Sequence, residues 1–381
     1  MSDNNPSVPD LADLHPNCAE VNLDRLRGNA DAMRQLSGGR PVMAVVKANA
    51  YGHGAIRVAR TLEDHGVEYL AVAQLQEAVE LRSAGVGRPI LVMGVPRRSE
   101  LEVYSDQAFD LLVTSPEWAV AAVEHARTNG PLNVHMKVDT GMHRLGMQPE
   151  QFATALDTLQ SAPGIRLVGL WTHFASADER DSSFTREQYA VLKPIVERYG
   201  HQFEHVHVGA SNAVNFFPDV ALAPERSMIR IGIALYGYLD THEDAAAVGL
   251  KPVIRLTSRV SQVRVIEPGE SVSYNRRWTS ARRTTIATVS CGYADGYFRS
   301  LSNRSKVGIR GKLYPVVGTV CMDLVMVDVG PPEASDVEEG DPVVMFGDGG
   351  PSVYEIAEWA GTIPYEVCTN VSRRVVRSYI D

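Results

Sequence analysis

The segment AVVKANAYGHG, residues 44–54, places one lysine between an apolar run and two glycines. The apolar run predicts a buried strand that ends at Lys47, and the glycines would let the chain turn closely past a ligand. A lysine amine in such a place can form a Schiff base with a carbonyl or exchange a proton with a bound molecule. The ordinary alternative is a lysine whose stem packs while its amine reaches the rim of the strand. This segment alone leaves both interpretations open.

The elements that must position this lysine repeat a cycle of short apolar strand, polar or glycine-containing loop, and helical stretch. Eight strands alternating with helices, most of them apolar on both faces, predict an α/β fold with a closed parallel (β/α)8 TIM-like barrel. A doubly wound open sheet is the rival that periodicity does not exclude. The candidate strands are residues 41–47, 68–73, 88–94, 109–114, 132–139, 165–174, 205–209 and 227–232.

The later part of the chain changes to period-two strands separated by turns with glycine and proline, which predicts a mainly antiparallel C-terminal β domain. We therefore predict a mobile tail at residues 1–17, the barrel at 18–249 and the β domain at 250–381. Residues 18–24, which include a short strand, are open to pairing with the β domain. Asp24 is predicted to be the N-cap of the helix that follows.

Composition excludes several classes of protein. A net charge of −9, with arginines scattered along the chain, argues against a nucleic-acid-binding protein. The N-terminal residues lack the pattern of a secretory signal, and no apolar stretch reaches a membrane-spanning length, so we expect a cytoplasmic protein. The four cysteines lie far apart and form no close pair, so no metal site is predicted.

Eight segments, in order along the chain, resemble the alanine racemases, and the likeness covers nearly all of the sequence. The resemblance implies a barrel that binds pyridoxal 5'-phosphate (PLP) and a C-terminal β domain. It also implies a head-to-tail homodimer in which each active site borrows residues from the partner's β domain. The segments are VVKANAYGHG, VHMKVDTGMHRLGM, WTHFASAD, MIRIGIALYG, VSYNRRW, GYADGY, GTVCMDLVMV and PYEV.

The resemblance implies two catalytic residues. Lys47 would hold PLP as a Schiff base and, once freed by the substrate, move the α-proton on one face, while Tyr274 from the partner subunit acts on the opposite face. His173 and Arg230 would form the supporting network behind the tyrosine. Arg230 would also bond the pyridine nitrogen, and a group that stays protonated restrains the ring as an electron sink. The alternative for Tyr274 is a strand tyrosine that packs on the β domain. The alternative for His173 is a structural histidine, and for Arg230 it is an arginine paired with a nearby carboxylate.

The substrate carboxylate would be bound by Arg144 and by the backbone amide of Met322. Lys137 matches a position that is often carbamylated in the family, where the resulting anion would orient Arg144. An unmodified Lys137 is the alternative. Tyr293 and Tyr365 resemble a pair that narrows the substrate entrance, which favours alanine on steric grounds.

The phosphate site departs from the family pattern. The family commonly has Ala-Asn-Ser-Ala where this chain has residues 210–213 as Ala-Ser-Asn-Ala, so Asn212 stands where a phosphate-binding serine is expected. An amide still donates and Ser211 is adjacent, so we expect binding to survive with altered geometry. The other implied phosphate ligands are Tyr51, Tyr365 and the backbone amides of Gly232 and Ile233. Arg299 and Asp323 are further entrance candidates, with a surface salt bridge as the alternative.

The expected function is therefore the interconversion of L-alanine and D-alanine, which supplies D-alanine for peptidoglycan. A racemase of broader specificity, acting on serine or lysine, is the main alternative. A PLP-dependent decarboxylase would share the architecture, but its glycine-rich phosphate motifs are missing. A noncatalytic PLP-carrier protein would resemble the barrel alone and leave the C-terminal motifs without a purpose.

Overall fold

The computed structural model describes residues 16–381, which fold into two compact units. One unit spans Asp24–Lys251. The other combines the described residues up to Leu23 with Pro252–Asp381. The predicted mobile tail falls mostly on residues 1–15, which lie outside the described residues.

The first unit is built on eight parallel strands in the order β8-β7-β6-β5-β4-β3-β2-β9. Strand β1 (Cys18–Asn22) belongs to the other unit; the barrel strands are β2 (Val42–Val45), β3 (Tyr69–Val72), β4 (Ile90–Val92), β5 (Asp110–Val113), β6 (Leu132–Lys137), β7 (Ile165–Trp171), β8 (His205–His207) and β9 (Ile229–Ile231). The two ends of this sheet meet, because the Met228 amide donates to the Val206 carbonyl (3.2 Å) and the Val206 amide donates to the Arg226 carbonyl (2.9 Å). The predicted barrel is confirmed and the open sheet is excluded.

Helices follow the barrel strands. They are α1 (Leu23–Leu36), α2 (Lys47–Tyr51), α3 (Ala55–Asp64), α4 (Leu75–Ser83), α5 (Leu101–Gln107), α6 (Pro116–Thr128), α7 (Phe152–Gln160), α8 (Ser183–Tyr199), α9 (Ser211–Phe216), α10 (Pro218–Ala221) and α11 (His242–Val248), with 3-10 turns at Arg98–Glu100, Pro149–Gln151, Gly200–Gln202 and Ile233–Tyr236. The prediction of Asp24 as an N-cap is wrong. Helix α1 begins one residue earlier, directly after β1, so Asp24 lies in the first turn and pairs there with Arg27.

The second unit is a mainly antiparallel β domain, as predicted. Its strands are β1 together with β10 (Ile254–Ile266), β11 (Ser271–Val272), β12 (Trp278–Thr279), β13 (Thr284–Val289), β14 (Lys306–Ile309), β15 (Lys312–Pro315), β16 (Val325–Gly330), β17 (Pro342–Phe346) and β18 (Val376–Ile380); its helices are α12 (Val353–Ala360) and α13 (Pro364–Thr369), with 3-10 turns at Tyr274–Arg276, Tyr293–Asp295 and Arg299–Leu301. Strand β1 pairs antiparallel with β10 and parallel with β18, so it completes this sheet.

The interior of the barrel is not apolar throughout. Five strand residues with polar or charged side chains are at most 3% exposed: Asp110, His135, Lys137, His207 and Arg230. Burial of such groups is unfavourable unless each finds a partner, so their contacts identify the part of the barrel where chemistry is concentrated. Within residues 16–381, no helix has the length and apolar character needed to cross a membrane.

Candidate active site

Lys47 stands at the carboxyl end of β2, at the start of an unusual turn. The four residues from Ala48 to Tyr51 all have left-handed backbone angles, with φ between 51° and 55°. A left-handed turn costs about 1–2 kcal/mol for each residue with a side chain, so neighbouring contacts must hold it. The Glu77 carboxylate supplies one of them by accepting a hydrogen bond from the Ala48 amide at 2.6 Å. The predicted glycine turn therefore begins earlier than expected, in residues that are not glycine.

Several positive groups share the carboxyl end of the barrel with Lys47. Burial, and next the charge of Arg144, lowers the pKa of Lys47, although Glu77 opposes the shift. Burial, followed by Arg230 and Arg144, lowers the pKa of Lys137 to about 7. Burial, followed by Arg144, lowers the pKa of Arg230 to about 9. These groups repel one another, so this end of the barrel suits ligands that carry negative charge.

Arg230 is fixed by neutral acceptors. One guanidinium nitrogen, Nη2, donates to the Thr172 carbonyl at 2.9 Å and to Nδ1 of His173 at 3.1 Å. The other, Nη1, donates to Nδ1 of His207 at 3.1 Å and to the His207 carbonyl. The predicted contact between His173 and Arg230 is present, and in the described part of the chain these partners are carbonyls and imidazoles rather than carboxylates. Burial, and then the charge of Arg230, lowers the pKa of His173 well below its ordinary value, which keeps its ring neutral.

Trp171, the last residue of β7, was not predicted as part of the site. The Lys137 amine lies 4.2 Å from the centroid of its ring, and the Arg230 guanidinium carbon lies 4.8 Å from the same centroid. An indole face attracts cations, so Trp171 stabilises two positive groups that otherwise repel each other. The sequence signal for Trp171 was its position at the end of a predicted strand, two residues before His173.

Arg144 extends from a loop that returns to the end of β6. Within this loop the Asp139 carboxylate accepts hydrogen bonds from the Gly141 and His143 amides, both at 3.0 Å. The Met147 amide then donates to the Lys137 carbonyl at 2.9 Å and closes the loop. Arg144 is exposed at its tip, near enough to lower the pKa of Lys47, Lys137 and Arg230.

The predicted phosphate residues of the barrel converge at the start of the 3-10 turn Ile233–Tyr236. The Ser211 hydroxyl accepts hydrogen bonds from the Gly232 amide (3.1 Å) and the Ala234 amide (3.4 Å). A Cβ atom on Gly232 would lie 2.6 Å from the Tyr51 hydroxyl, so only glycine leaves room for this approach. The side-chain carbonyl of Asn212 is buried without a hydrogen-bond partner. A hydroxyl that accepts from two backbone amides keeps its own proton to donate, and a phosphate group needs such donors.

The predicted residues of the β domain are arranged around one segment, residues 318–323, which we call the CMD loop. Ser273 Oγ donates to the Thr319 carbonyl at 2.6 Å, and Thr319 Oγ1 donates to the Tyr274 carbonyl at 2.9 Å. Tyr274 itself is 68% exposed. The CMD loop thus holds the backbone of Tyr274 while leaving its side chain accessible.

The turn that carries Tyr293 is bonded to the same loop. The Tyr293 amide donates to the Cys321 carbonyl and the Ala294 amide donates to the Met322 carbonyl, both at 3.0 Å. Met322 is 52% exposed and Tyr293 is 42% exposed. Tyr365, the second residue of α13, is half-buried. The CMD loop therefore brings Tyr274, Tyr293 and Met322 together within the β domain.

Asp323 and Arg299, the two predicted entrance residues with charged side chains, differ in their contacts. Asp323 forms an ion pair with Arg374 (2.7 Å), and Arg374 also donates to the Asp295 carboxylate at 2.8 Å. The salt bridge that was the alternative for Asp323 is present, and its role at the entrance stays a prediction. Arg374, which was not predicted, links the CMD loop to the turn Tyr293–Asp295. Arg299 is exposed, and its carbonyl accepts a hydrogen bond from Ser302 Oγ at 2.6 Å.

Comparison with known proteins matches both units. Residues 21–240 match the family described as Alanine racemase, N-terminal domain, and residues 253–379 match Alanine racemase, C-terminal domain. The chain is 40% identical to the alanine racemase of Geobacter sulfurreducens, over 97% of this chain and 98% of that protein. It is 40% identical to the alanine racemase of Chlorobaculum tepidum, over 98% of this chain and 96% of that protein.

Solved structures agree with this result. The alanine racemase of Streptomyces coelicolor A3(2) superposes with a TM-score of 0.90 at 33% identity, covering 96% of this chain and 98% of that one. The alanine racemase of Clostridium difficile 630 has a TM-score of 0.88 at 37% identity and covers 96% of each chain.

Proposed function

This chain belongs to the alanine racemase family, and from that premise we propose that it interconverts L-alanine and D-alanine with PLP and two proton-transferring residues. The observation that carries the proposal is the placement of Lys47. Its amine stands at the carboxyl end of the barrel among Lys137, Arg144 and Arg230, and burial lowers its pKa. A lysine with a lowered pKa is a better nucleophile and a better proton acceptor near neutrality.

The residues of the barrel fit PLP. Lys47 would carry the cofactor covalently, and Arg230 would donate to the pyridine nitrogen. The phosphate would be held by Tyr51, Ser211, Asn212 and the amides of Gly232 and Ile233, and also by Tyr365 of the β domain. When bound, PLP supplies an electron sink that makes the α-proton of an amino acid acidic enough to remove. The remaining proton of the Ser211 hydroxyl and the surrounding positive charge support this assignment.

Inversion requires a proton to leave one face of the α-carbon and return on the other. We assign the first face to the Lys47 amine and the second to the Tyr274 hydroxyl, contributed by the partner subunit of a homodimer. The 68% exposure of Tyr274, on a turn braced by the CMD loop, supports a role outside its own domain. His173, kept neutral and oriented by Arg230, would support the tyrosine.

The substrate would be selected by its carboxylate and its size. Arg144 and the Met322 amide would bind the carboxylate, as a charge-assisted pair. Tyr293 and Tyr365 would narrow the entrance and favour alanine over larger amino acids. By family expectation the protein acts in the cytoplasm and supplies D-alanine for peptidoglycan. A broader racemase that also accepts serine or lysine is the second candidate, because the phosphate site departs from the family pattern at Asn212.

The proposal is tested by incubating the purified, PLP-loaded enzyme with L-alanine and following the decay of circular dichroism. We expect an equal mixture of enantiomers. Parallel reactions with L-serine and L-lysine measure specificity, and comparable kcat/KM values for all three would favour the broader racemase. Tight PLP binding without conversion of any of them would overturn the proposal in favour of a decarboxylase or a carrier.

The phosphate site yields a prediction for Ser211→Ala. The substitution removes the hydroxyl that would donate to the phosphate and that also accepts from the amides of Gly232 and Ala234. A hydrogen bond to a charged group contributes about 1.5–3 kcal/mol. We expect the Kd for PLP to rise about tenfold, equivalent to roughly 1.4 kcal/mol. Equilibrium dialysis of the apoenzyme measures the Kd. Ser183→Ala, on an exposed helix residue, is the matched control, and an unchanged Kd in Ser211→Ala would contradict the assignment.

Lys137 yields a prediction that depends on pH. We propose that its amine attacks CO2, losing a proton to water and forming a carbamate that orients Arg144. Only the uncharged amine reacts, and the pKa of Lys137 is lowered to about 7. At fixed bicarbonate, carbamate occupancy should therefore decline as the pH falls below about 7 and level off above it. Carbon-13 NMR with labelled bicarbonate detects the carbamate. The Lys137→Gln variant should lack the carbamate resonance. If the native protein also lacks this resonance at about pH 8, Lys137 is unmodified and the proposed carbamate is wrong.

A further inference from the structure

A chain of hydrogen-bonded side chains crosses the interior of the barrel from Asp110 to Arg230. His135 Nε2 lies 2.8 Å from the Asp110 carboxylate, and His135 Nδ1 lies 2.8 Å from His207 Nε2. His207 Nδ1 then accepts the hydrogen bond from Arg230 Nη1 at 3.1 Å. We call these four residues the lumen chain. All four are at most 3% exposed, and three of them have no part in the proposed proton transfers.

The two ends of the lumen chain fix its direction. A carboxylate only accepts hydrogen bonds and a guanidinium only donates them. Asp110 is held at its end by two further donors, the Tyr69 hydroxyl and the Asn133 amide group (3.0 Å). His135 must therefore carry its proton on Nε2, and so must His207. A change of tautomer in either ring would break a bond or set two donors against each other.

The fold makes specific room for this chain in β7. A β-bulge after the pair Val134–Leu167 shifts the register so that Gly169 faces His135. A Cβ atom at Gly169 would overlap the His135 ring at Nδ1, the atom that bonds His207. Glycine inside a strand is unfavourable and marks the close approach of another group. Bulge and glycine together allow the bond between His135 and His207 to form.

We infer that Asp110, His135 and His207 are positioning residues for Arg230. The inference rests on the proposed function, in which Arg230 donates to the pyridine nitrogen of PLP. His207 holds the guanidinium through both its ring and its carbonyl, and Asp110 fixes the tautomer of His207 from the far end. Asp110 also supplies the one negative charge within the lumen chain. Because both imidazoles are neutral links, this charge partly compensates the buried cation without a carboxylate beside the cofactor.

The first test uses the native protein and needs no variant. Nitrogen-15 NMR of histidine side chains, in apoenzyme and PLP-loaded enzyme, should show His135 and His207 neutral and protonated on Nε2. Their protons should exchange slowly with solvent, because both rings are fully buried. A proton on Nδ1 of either ring, or a doubly protonated ring, would overturn the inference. This readout is independent of whether the protein racemises alanine.

The second test uses two substitutions that each disrupt the hydrogen bonds of the lumen chain. Gly169→Ala should block the bond between His135 and His207, and Asp110→Asn should remove the acceptor that sets the direction. In both variants we expect kcat for L-alanine to fall about tenfold or more, the loss typical of removing an orienting partner, with KM nearly unchanged. The histidine tautomers should change in parallel.

Each variant has a matched control. Gly28→Ala adds a Cβ where nothing lies within 4 Å. Asp31→Asn alters an exposed aspartate that pairs with His65 at 2.9 Å. Both controls should keep native kcat and native tautomers. If native enzyme racemises alanine and both lumen variants keep kcat within twofold, the inference is wrong. If the native enzyme does not racemise alanine, the proposed function fails instead.

Discussion

Replacing Lys47 with alanine is expected to reduce kcat/KM for alanine by at least about 10³-fold, because one substitution removes both the cofactor's covalent partner and one of the two proton-transferring groups. The lowered pKa of Lys47, caused first by burial and then by Arg144, is what adapts an ordinary amine to both tasks. Racemisation is measured by circular dichroism with each enantiomer as the starting substrate. Borohydride reduction followed by peptide mass spectrometry should find PLP on Lys47 in the native enzyme.

The matched control is Lys193→Ala. Lys193 is an exposed lysine of α8 that pairs with Glu197. Its replacement removes one positive charge from the surface and leaves every proposed site residue in place. We expect native activity and native labelling from this variant. A Lys47→Ala enzyme that keeps more than about a tenth of native kcat/KM would remove Lys47 from the mechanism and make a different amine responsible.

The barrel was predictable because its strands are short apolar runs at regular intervals, and local periodicity reports burial directly. The same reasoning failed where a single residue decides the local geometry. Asp24 has the chemistry of an N-cap, but β1 continues into α1 without a loop, so the helix starts at Leu23. The left-handed turn from Ala48 to Tyr51 has no local pattern either, because it is held by contacts such as the one to Glu77.

The interior of the site could be predicted only in part. Family resemblance pointed to Lys137, His173 and Arg230, all of which lie at the same end of the barrel. It did not point to the bond between His135 and His207, whose partners are 72 positions apart in the chain. The spacing of His135 and Lys137 did indicate a shared location, because residues two positions apart on a strand face the same side of the sheet. Only the closed barrel shows that this side faces the lumen and meets β8.

Replacing Tyr274 with phenylalanine is expected to lower racemisation by about 10²–10⁴-fold, the usual contribution of a proton-transferring side chain, while the ring is kept. With Lys47 intact, the α-proton of one enantiomer should still exchange with deuterium from solvent, but without inversion. Proton NMR of alanine recovered from D2O measures this uncoupling. Tyr314→Phe, in β15 of the same domain, is the control. Equal loss of exchange for both enantiomers would make Tyr274 structural rather than catalytic.

The two variants together decide whether active sites are shared between subunits. Lys47→Ala and Tyr274→Phe are each expected to be nearly inactive alone, but in a mixed dimer with shared sites one site carries both defects and the other carries none. After equal amounts are unfolded and refolded together, half of the dimers are mixed, so about a quarter of native activity should return. Sites built from a single chain could not recover in this way, because every site would keep one defect. Recovery would therefore establish both the homodimer and the origin of Tyr274 in the partner subunit.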